Sequence, residues 1–378
     1  MTDRCGLIVF FYMIFFKGKA STSGNRDRCP AGRSLMGAGA ALIRKSFALL
    51  LLGGLLVAAA ALAGAGEIGQ RQANIEKFWQ REFTVGTLRG SGGVELRYAG
   101  RKAASGRGAL VVVNGRTEYA EKYAELFYDL KDSGFSLYTY DHRGQGLSGR
   151  LLADRGKGHV DAFDDYVADL DRFLARIVRP QKPKTIIVLS HSMGGTISLL
   201  YAARHRGVLD RIILCSPMLS LDLHPVLTNI VRGACRLAVH TGLGDAAVPG
   251  AGIYERQKIF EGNYLTGSRQ RFEMNRRLIA RNPLLAIEAP TFRWVDQALA
   301  ATRELMEQDL DPGLPILLLQ GENDRVVGGE EQRQFCRRLD DCRLVALPEG
   351  RHELLMEKDA IRDRVLAEIH GFIDETTR

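Results

Sequence analysis

Short apolar runs alternate with stretches of helical periodicity through most of the chain. Runs suited to buried strands cover residues 109–113, 136–140, 185–189, 211–215, 315–320 and 343–347. Amphipathic stretches suited to helices cover about 119–131, 161–178, 294–306, 330–339 and 360–373. Ahead of these, 83–88 and 94–98 flank a glycine-rich turn and predict a β-hairpin. Strands that alternate with helices predict an α/β fold, with a mostly parallel central sheet flanked by helices on both faces.

This alternation stops after Pro217 and resumes near Trp294. Between them, residues 218–290 hold scattered Leu, Tyr and Phe with many arginines, and they contain no run suited to a parallel strand. We therefore predict a core formed by residues 67–217 and 291–378, with a helical cap or lid inserted at 218–290.

Residues 1–66 differ in composition from the rest of the chain. An apolar stretch at about 46–64 follows Arg44-Lys45 and ends in small residues. A cleaved secretory signal and a single N-terminal membrane anchor share these features, and the stretch has a length at the boundary between them. We predict an extension that holds the protein at a membrane, with release into the periplasm after cleavage as the alternative. Met36 is an alternative start of the chain.

Composition adds a few exclusions. The chain has 378 residues, of which 46% are hydrophobic, so it can bury a sizeable core. The formal charge of +8 is spread too diffusely to indicate a nucleic-acid partner, and it suits contact with an anionic lipid surface. None of the six cysteines forms a CxxC pair, so we expect neither a zinc site nor a thioredoxin-type site, and we predict no metal and no cofactor for this chain. Cys336 and Cys342 bracket a short polar turn and could pair in an oxidising compartment, but two buried thiols are the interpretation that we favour.

The apolar run ending at His191 leads into the small-residue turn Ser192-Met193-Gly194-Gly195 and then into a helical stretch. Strand, sharp turn and helix form the context in which a nucleophilic serine stands exposed above a sheet. Small neighbours are needed because the strand and helix backbones nearly touch there, and Ser190 and Gly194 meet that need. A glycine-rich turn in any α/β protein is the alternative, so the assignment of Ser192 depends on its partners.

An acyl-transferring serine needs a base to take its proton and an acid to orient that base. In this architecture the three follow the order Ser, Asp or Glu, His, each in a loop after a strand. Asp324 and His352 follow the last two predicted strands. We predict Ser192, Asp324 and His352 as the catalytic triad, with Glu322 and Asp222 as the alternative acids.

An oxyanion hole needs two backbone N–H groups aimed at the developing negative charge. One is expected from Met193, the residue after the nucleophile. The other is expected from Arg116, in the loop Asn114-Gly115-Arg116 that follows an early strand.

Several motifs together carry a family resemblance. They are Asp141-His142-Arg143-Gly144-Gln145-Gly146, His191-Ser192-Met193-Gly194-Gly195, the cap stretch 265–272, Asp324-Arg325-Val326-Val327 and His352-Glu353. From Phe83 onward the chain resembles α/β-hydrolases of the lysophospholipase L2 type, with monoacylglycerol lipases as wider relatives. The resemblance implies an α/β-hydrolase fold, removal of a fatty acyl chain from lysophospholipids, and association with the bacterial inner membrane. Arg269 and Arg271 lie inside the family-like cap stretch, so we predict that they bind the substrate headgroup.

Three further functions remain open. One is hydrolysis of monoacylglycerols or other carboxylic esters. Another is transfer of the acyl group to an alcohol, which a dry acyl pocket would favour over hydrolysis. The third is a catalytically inactive hydrolase fold that serves as a membrane-bound binding module. Because all three triad positions are filled, the sequence favours an enzyme.

Overall fold

The computed structural model describes residues 69–104, 106–221, 224–250, 259–308 and 310–375. The predicted extension at 1–66, with its apolar stretch, lies outside this part. Two compact units share the described residues, one ending at Arg81 and the other including residues 82–375. Residues 69–82 form helix α1. None of the helices in the described ranges combines the length and apolarity needed to cross a bilayer.

Within the described residues, eight strands of the second unit form one sheet. They are β1 (Thr84–Arg89), β2 (Glu95–Arg101), β3 (Gly108–Val113), β4 (Phe135–Tyr140), β6 (Ile186–His191), β7 (Arg211–Cys215), β9 (Ile316–Gly321) and β10 (Cys342–Leu347). Two short strands, β5 (Lys157–Gly158) and β8 (Ala289–Pro290), pair in parallel outside that sheet.

The strand order is β1-β2-β4-β3-β6-β7-β9-β10. Neighbours from β4 to β10 are parallel, whereas β1 and β2 form the predicted antiparallel hairpin and β2 pairs antiparallel with β4. All residues of β3, β6 and β9 are buried, because parallel strands covered on both faces need continuous apolar runs. The predicted α/β fold with a mostly parallel sheet is confirmed.

The helices of the second unit lie close to their predicted positions. They are α2 (Ala124–Asp129), α3 (Asp164–Phe173), α4 (Met193–Arg204), α5 (Pro225–His240), α6 (Arg269–Arg281), α7 (Phe292–Glu307), α8 (Gly329–Arg337) and α9 (Asp359–Asp374). Two predicted helices are shorter than expected. A 3₁₀ turn at Ala120–Tyr123 precedes α2, and a π-helical turn at Leu174–Val178 follows α3.

The chain reverses its direction across the sheet between β3 and β6. It passes from β3 outward to β4 on one side, and later builds β6, β7, β9 and β10 on the other side. A crevice opens at such a point beyond the carboxyl ends of the strands, and open α/β sheets bind ligands there. The loops after β3 and β6 carry Arg116 and Ser192, so both residues lie at this reversal. Helices α5 and α6 come from the predicted cap, and α5 packs against α7.

The two cysteines near the C-terminus form a disulfide, so the expectation of two free thiols was wrong. Cys336 lies in the last turn of α8, and Cys342 begins β10. The short turn between these elements brings the two Cα atoms to 5.3 Å, within the range that a disulfide spans.

Candidate active site

Ser192 occupies the sharp turn between β6 and α4. Its φ of 50° and ψ of −117° lie in a region that side chains rarely adopt, and such strain is typical of a nucleophile elbow. Three backbone hydrogen bonds hold the turn: the Ser192 amide donates to Cys215, and the Ser192 carbonyl accepts from Gly195 and Met218. The surrounding structure therefore imposes the strained conformation.

The small residues after Ser192 allow a close approach of backbones. A Cβ atom at Gly194 would lie 2.1 Å from the carbonyl oxygen of Val113, and one at Gly195 would lie 2.7 Å from Cβ of Pro217. Both distances are too short for any side chain. Helix α4 can therefore begin directly beside β3 and present the Met193 amide beside the serine.

The structure brings Ser192, His352 and Asp324 into contact from three different loops. His352 Nε2 lies 3.0 Å from Ser192 Oγ, and His352 Nδ1 lies 2.7 Å from Asp324 Oδ2. In this arrangement Nδ1–H donates to the carboxylate, which leaves Nε2 to accept the serine proton. All three side chains are largely buried.

Asp324 is held as an ionised group. Burial raises the pKa of Asp324. The neighbouring His352 and the amides of Val326 and Val327 together lower it by more than burial raises it, so the net pKa lies below the ordinary value of 3.8. Those two amides donate to Oδ1 at 2.8 and 3.3 Å, which leaves Oδ2 for the histidine. Glu322, an alternative acid, is exposed to solvent, and Asp222 lies outside the described residues.

Two backbone amides are placed for an oxyanion hole. In the loop after β3, the Gly115 amide donates to Glu118 and the Thr117 amide donates to Gln145. Between them, the Arg116 amide has no acceptor in the described part of the chain, and neither does the Met193 amide at the start of α4. Both residues adjoin Ser192 in the fold, so the predicted pair keeps its place as the candidate oxyanion hole.

A buried ionic cluster lies directly behind the triad. It consists of Glu118, Lys122, His191 and Glu353. Lys122 Nζ bridges the two carboxylates at 2.8 Å from Glu118 and 2.7 Å from Glu353, and Glu118 lies 3.0 Å from His191 Nδ1. Each charge has an opposite partner, which offsets the cost of removing it from water.

His191 links this ionic cluster to the triad. Its Nδ1 faces the Glu118 carboxylate, and its Nε2 lies 3.2 Å from the backbone carbonyl of His352. Both neighbours accept hydrogen bonds, so both ring nitrogens must carry a proton and the imidazole is positively charged. Glu118 also accepts from the Gly115 amide, so the Glu118–His191 pair connects the oxyanion loop to the residue before Ser192 and, through His191 Nε2, to the loop of His352.

A cavity of about 230 Å³ opens over Ser192 and His352. Its wall is mostly apolar, with contributions from the core side and from the cap. Residues from the core include Val295 and Val327, and residues from the predicted cap include Met218, Val231, Cys235 and Val248. Such a wall suits an acyl chain, with the reactive groups at one end.

The two arginines predicted to bind a headgroup lie away from this cavity, since neither lines it. Arg271 is buried and donates to the Glu125 carboxylate at 2.8 and 2.9 Å, and it also pairs with Asp359. Arg269 is exposed, pairs with Glu261 and stacks over Phe260. Both guanidinium groups therefore pair with carboxylates of the protein itself, and both project from α6 toward residues other than the triad.

Sequence reasoning missed the buried ionic cluster. Glu118 and Lys122 stand four residues apart, a spacing that suits a helical ion pair, but such pairs are common on exposed surfaces. Glu353 comes from a loop 231 residues further along the chain, and no local pattern indicates that contact. The same holds for the contact of Glu118 with His191, which are 73 residues apart.

Comparison with known proteins places the chain in a family. The family model described as serine aminopeptidase, S33, matches residues 104–359. The chain is 37% identical over 309 residues to lysophospholipase L2 of Escherichia coli strain K12, covering 79% of this chain and 88% of that protein. It is 30% identical to a probable lysophospholipase L2 of Haemophilus influenzae, covering 78% and 93%.

Solved structures show the same fold at lower identity. A monoglyceride lipase from Saccharomyces cerevisiae superposes with a TM-score of 0.62 at 18% identity, covering 78% of this chain and 96% of that one. A thermostable carboxyl esterase from Bacillus coagulans gives 0.65 at 21% identity, covering 78% and 98%.

These matches define the class as an α/β-hydrolase of the serine type. The chain belongs to the serine aminopeptidase S33 family, and it is an ester-hydrolysing serine hydrolase. The predicted fold and enzyme class are thereby confirmed.

Proposed function

We propose that the protein removes the fatty acyl chain from lysophospholipids, through an acyl-enzyme formed on Ser192. The observation that carries this proposal is the continuous contact from Asp324 through His352 to Ser192 at the end of an apolar cavity. The similarity to two lysophospholipases L2 across most of both chains supports the choice of substrate class.

The reaction follows from the geometry. His352 Nε2 takes the proton of Ser192 as Oγ attacks the ester carbonyl carbon, and Asp324 stabilises the imidazolium that forms. The amides of Met193 and Arg116 bind the oxyanion, and collapse of the tetrahedral intermediate expels the glycerol oxygen with the proton from His352. Water then attacks the acyl-enzyme with His352 as base, which releases the fatty acid and restores Ser192.

The substrate class favours work at a membrane surface, and helix α5 of the cap is suited to contact it. Val226, Ile230 and Leu237 lie on one face of α5 and are exposed, with 61%, 43% and 65% of their surface accessible. On the opposite face, Val231 and Cys235 are buried and line the cavity. A helix that is apolar on both faces can join a bilayer to an acyl pocket. We propose that this cap surface and the N-terminal apolar stretch at 46–64 together hold the protein at the inner membrane.

The test is a product analysis on wild type and Ser192→Ala with lysophospholipids and with a monoacylglycerol of equal chain length. We expect fatty acid release from lysophospholipids by wild type, and a loss on the order of 10⁶ in kcat in the variant. A wild type that hydrolyses only the monoacylglycerol would refute the lysophospholipase assignment, and an acyl ester formed on added alcohol would identify a transacylase. Labelling by a fluorophosphonate should occur in wild type and be absent from Ser192→Ala.

A further inference from the structure

The Arg116 side chain is a partly buried cation, and no carboxylate among the described residues pairs with it. Its Nε and Nη2 atoms are buried and have no hydrogen-bond acceptor among the described residues. Burial lowers the pKa of Arg116 to about 10, while Tyr166 and Tyr264 raise it slightly, so the group remains charged at neutral pH. Leaving a buried charge unpaired is costly, and a ligand that supplies an anion would offset that cost.

The guanidinium group has a fixed position. It stacks over the Trp294 ring of α7 at 5.0 Å from the ring centroid. On another side it lies against Gly158 of β5, where a Cβ atom would approach Nη2 to 2.9 Å. Nε and Nη2 are enclosed within the protein, so Nη1 is the nitrogen through which we expect a ligand to bind. Arg116 lines the same cavity as Ser192 and His352.

The charges around the cavity leave that of Arg116 uncompensated. Of the residues that the structure describes, Glu118 and Glu353 are the carboxylates that line the cavity, and Lys122 and the protonated His191 balance both of them. Asp324 is ionised beside the neutral His352, but it does not line the cavity. Among the described side chains that do line it, Arg116 is therefore the cation whose charge no carboxylate balances, and it lies beside the place where the ester reacts.

We propose that the Arg116 guanidinium binds the phosphodiester of the lysophospholipid substrate and makes the enzyme prefer lysophospholipids to uncharged monoacylglycerols. This proposal rests on the proposed function and identifies the residue that recognises the headgroup. A lysophospholipid carries its phosphate a few bonds from the scissile ester, so an ester at Ser192 places the phosphate within reach of the neighbouring loop. Arginine suits this task because its N–H groups form charge-assisted hydrogen bonds with phosphate oxygens.

The first arm of the test compares kcat/KM for a lysophospholipid and a monoacylglycerol of equal acyl chain in wild type, Arg116→Met, Arg116→Lys and Arg303→Met. Methionine keeps the backbone amide and much of the apolar side chain. An effect transmitted through the oxyanion loop lowers both rates together and cancels in their ratio.

We expect the ratio to fall roughly 10- to 100-fold in Arg116→Met, as for loss of a charge-assisted hydrogen bond, and lysine to restore part of it. Arg303→Met, at an exposed arginine of α7 that does not line the cavity, should leave the ratio unchanged. An equal loss on both substrates, or an unchanged ratio, would overturn the proposal.

The second arm does not require turnover of a lysophospholipid. It measures inhibition of short-chain ester hydrolysis by 1-O-hexadecyl-glycero-3-phosphocholine and by 1-O-hexadecylglycerol. In both compounds an ether replaces the carboxylic ester, so the enzyme has no acyl group to remove. We expect only the phosphate-bearing ether to bind more weakly to Arg116→Met. Wild type that does not hydrolyse lysophospholipids would refute the substrate assignment. If the phosphate-bearing ether nevertheless binds more weakly to Arg116→Met than to wild type, the phosphate site stands. Equal inhibition of wild type and variant would overturn the site. Inorganic phosphate that competes as well as the ether lipid would identify a free-anion site and overturn the headgroup assignment.

Discussion

The Asp324 carboxylate divides its two oxygens between different tasks. Oδ1 accepts from two backbone amides, and Oδ2 accepts from His352. The amides hold the carboxylate in place, so that it fixes the tautomer of the histidine. This division explains why the acid lies in a turn in which two successive amides point inward.

Replacing Asp324 with asparagine should therefore cost about 10⁴ in kcat, because the amide NH₂ presented to His352 favours the wrong tautomer. Steady-state kinetics on a soluble ester measures the effect, and the thermal unfolding midpoint shows whether the fold is retained. Glu322→Gln is the matched control, since Glu322 is two residues away and exposed. A mild Asp324→Asn and a crippled Glu322→Gln would reverse the assignment of the acid.

The charge on His191 makes stability depend on pH. Burial lowers the pKa of His191. The charge of Glu118 and its hydrogen bond raise it by more than burial lowers it, so the net pKa exceeds 6.5. A group whose pKa rises on folding stabilises the native state fully below its unfolded pKa, and this contribution is lost as the pH rises through the folded pKa. The free energy of unfolding should thus decline as the pH increases from 6.5.

His191→Gln should remove that decline and should cost about 3–5 kcal/mol at pH 6, the range for breaking a buried ion pair. Urea unfolding at several pH values between 6 and 9 measures both effects. His240→Gln provides the control, because His240 is exposed at the end of α5. An identical pH profile in wild type and His191→Gln would contradict a charged imidazole at this position.

At the scale of elements, the turn from β6 to α4 shows how closely packing and chemistry are connected. The start of α4 lies against the end of β3, and that contact places the Met193 amide beside Ser192. The strain at Ser192 is maintained only while the two backbones remain close.

A methyl group at Gly194 should separate them. Gly194→Ala would place Cβ 2.1 Å from the Val113 carbonyl oxygen, so α4 must shift away from β3. We expect a loss of about 1–3 kcal/mol in stability from overpacking, and about 10²-fold in kcat from misplacement of Ser192 and Met193. Gly371→Ala, in α9 with no atom within 4 Å of the added Cβ, should be neutral or stabilising. Chemical denaturation and ester kinetics on both variants test the contrast, and a fully active Gly194→Ala would refute the close approach.

The sequence predicted these elements well because each depends on local signals. Continuous apolar runs identified the buried strands, and the turn after His191 identified the elbow. The sequence alone could not predict contacts between residues that are far apart along the chain. Arg271 pairs with Glu125, 146 residues away, so the sequence alone could not separate this structural arginine from one that faces the cavity. The role proposed for the Arg116 side chain likewise depends on Trp294 and Gly158, which only the folded chain brings beside it.

At the scale of the whole molecule, the predicted cap joins the cavity to an exposed apolar surface. Helix α5 packs against α7 and contributes Val231 and Cys235 to the cavity wall, while Ile230 and Leu237 remain exposed. Exposed apolar side chains on one face of a helix are costly in water and favourable at a lipid surface. An acyl chain that leaves a bilayer beneath this face would stay in apolar surroundings until it reaches Ser192.

The double variant Ile230→Asp with Leu237→Asp should therefore slow hydrolysis of long-chain substrate in vesicles, but not hydrolysis of a monomeric short-chain ester. Burying one such side chain contributes about 1.5–3 kcal/mol, so we expect the ratio of the two rates to fall at least tenfold. Val85→Asp is the control, because Val85 is an exposed apolar residue on the edge strand β1. Sedimentation of the same full-length proteins with vesicles separates the two proposed contacts. If the N-terminal stretch anchors the chain, binding persists while the rate ratio falls, and if α5 is the main contact, binding and ratio fall together. An unchanged ratio would show that the exposed face of α5 does not deliver substrate to the cavity.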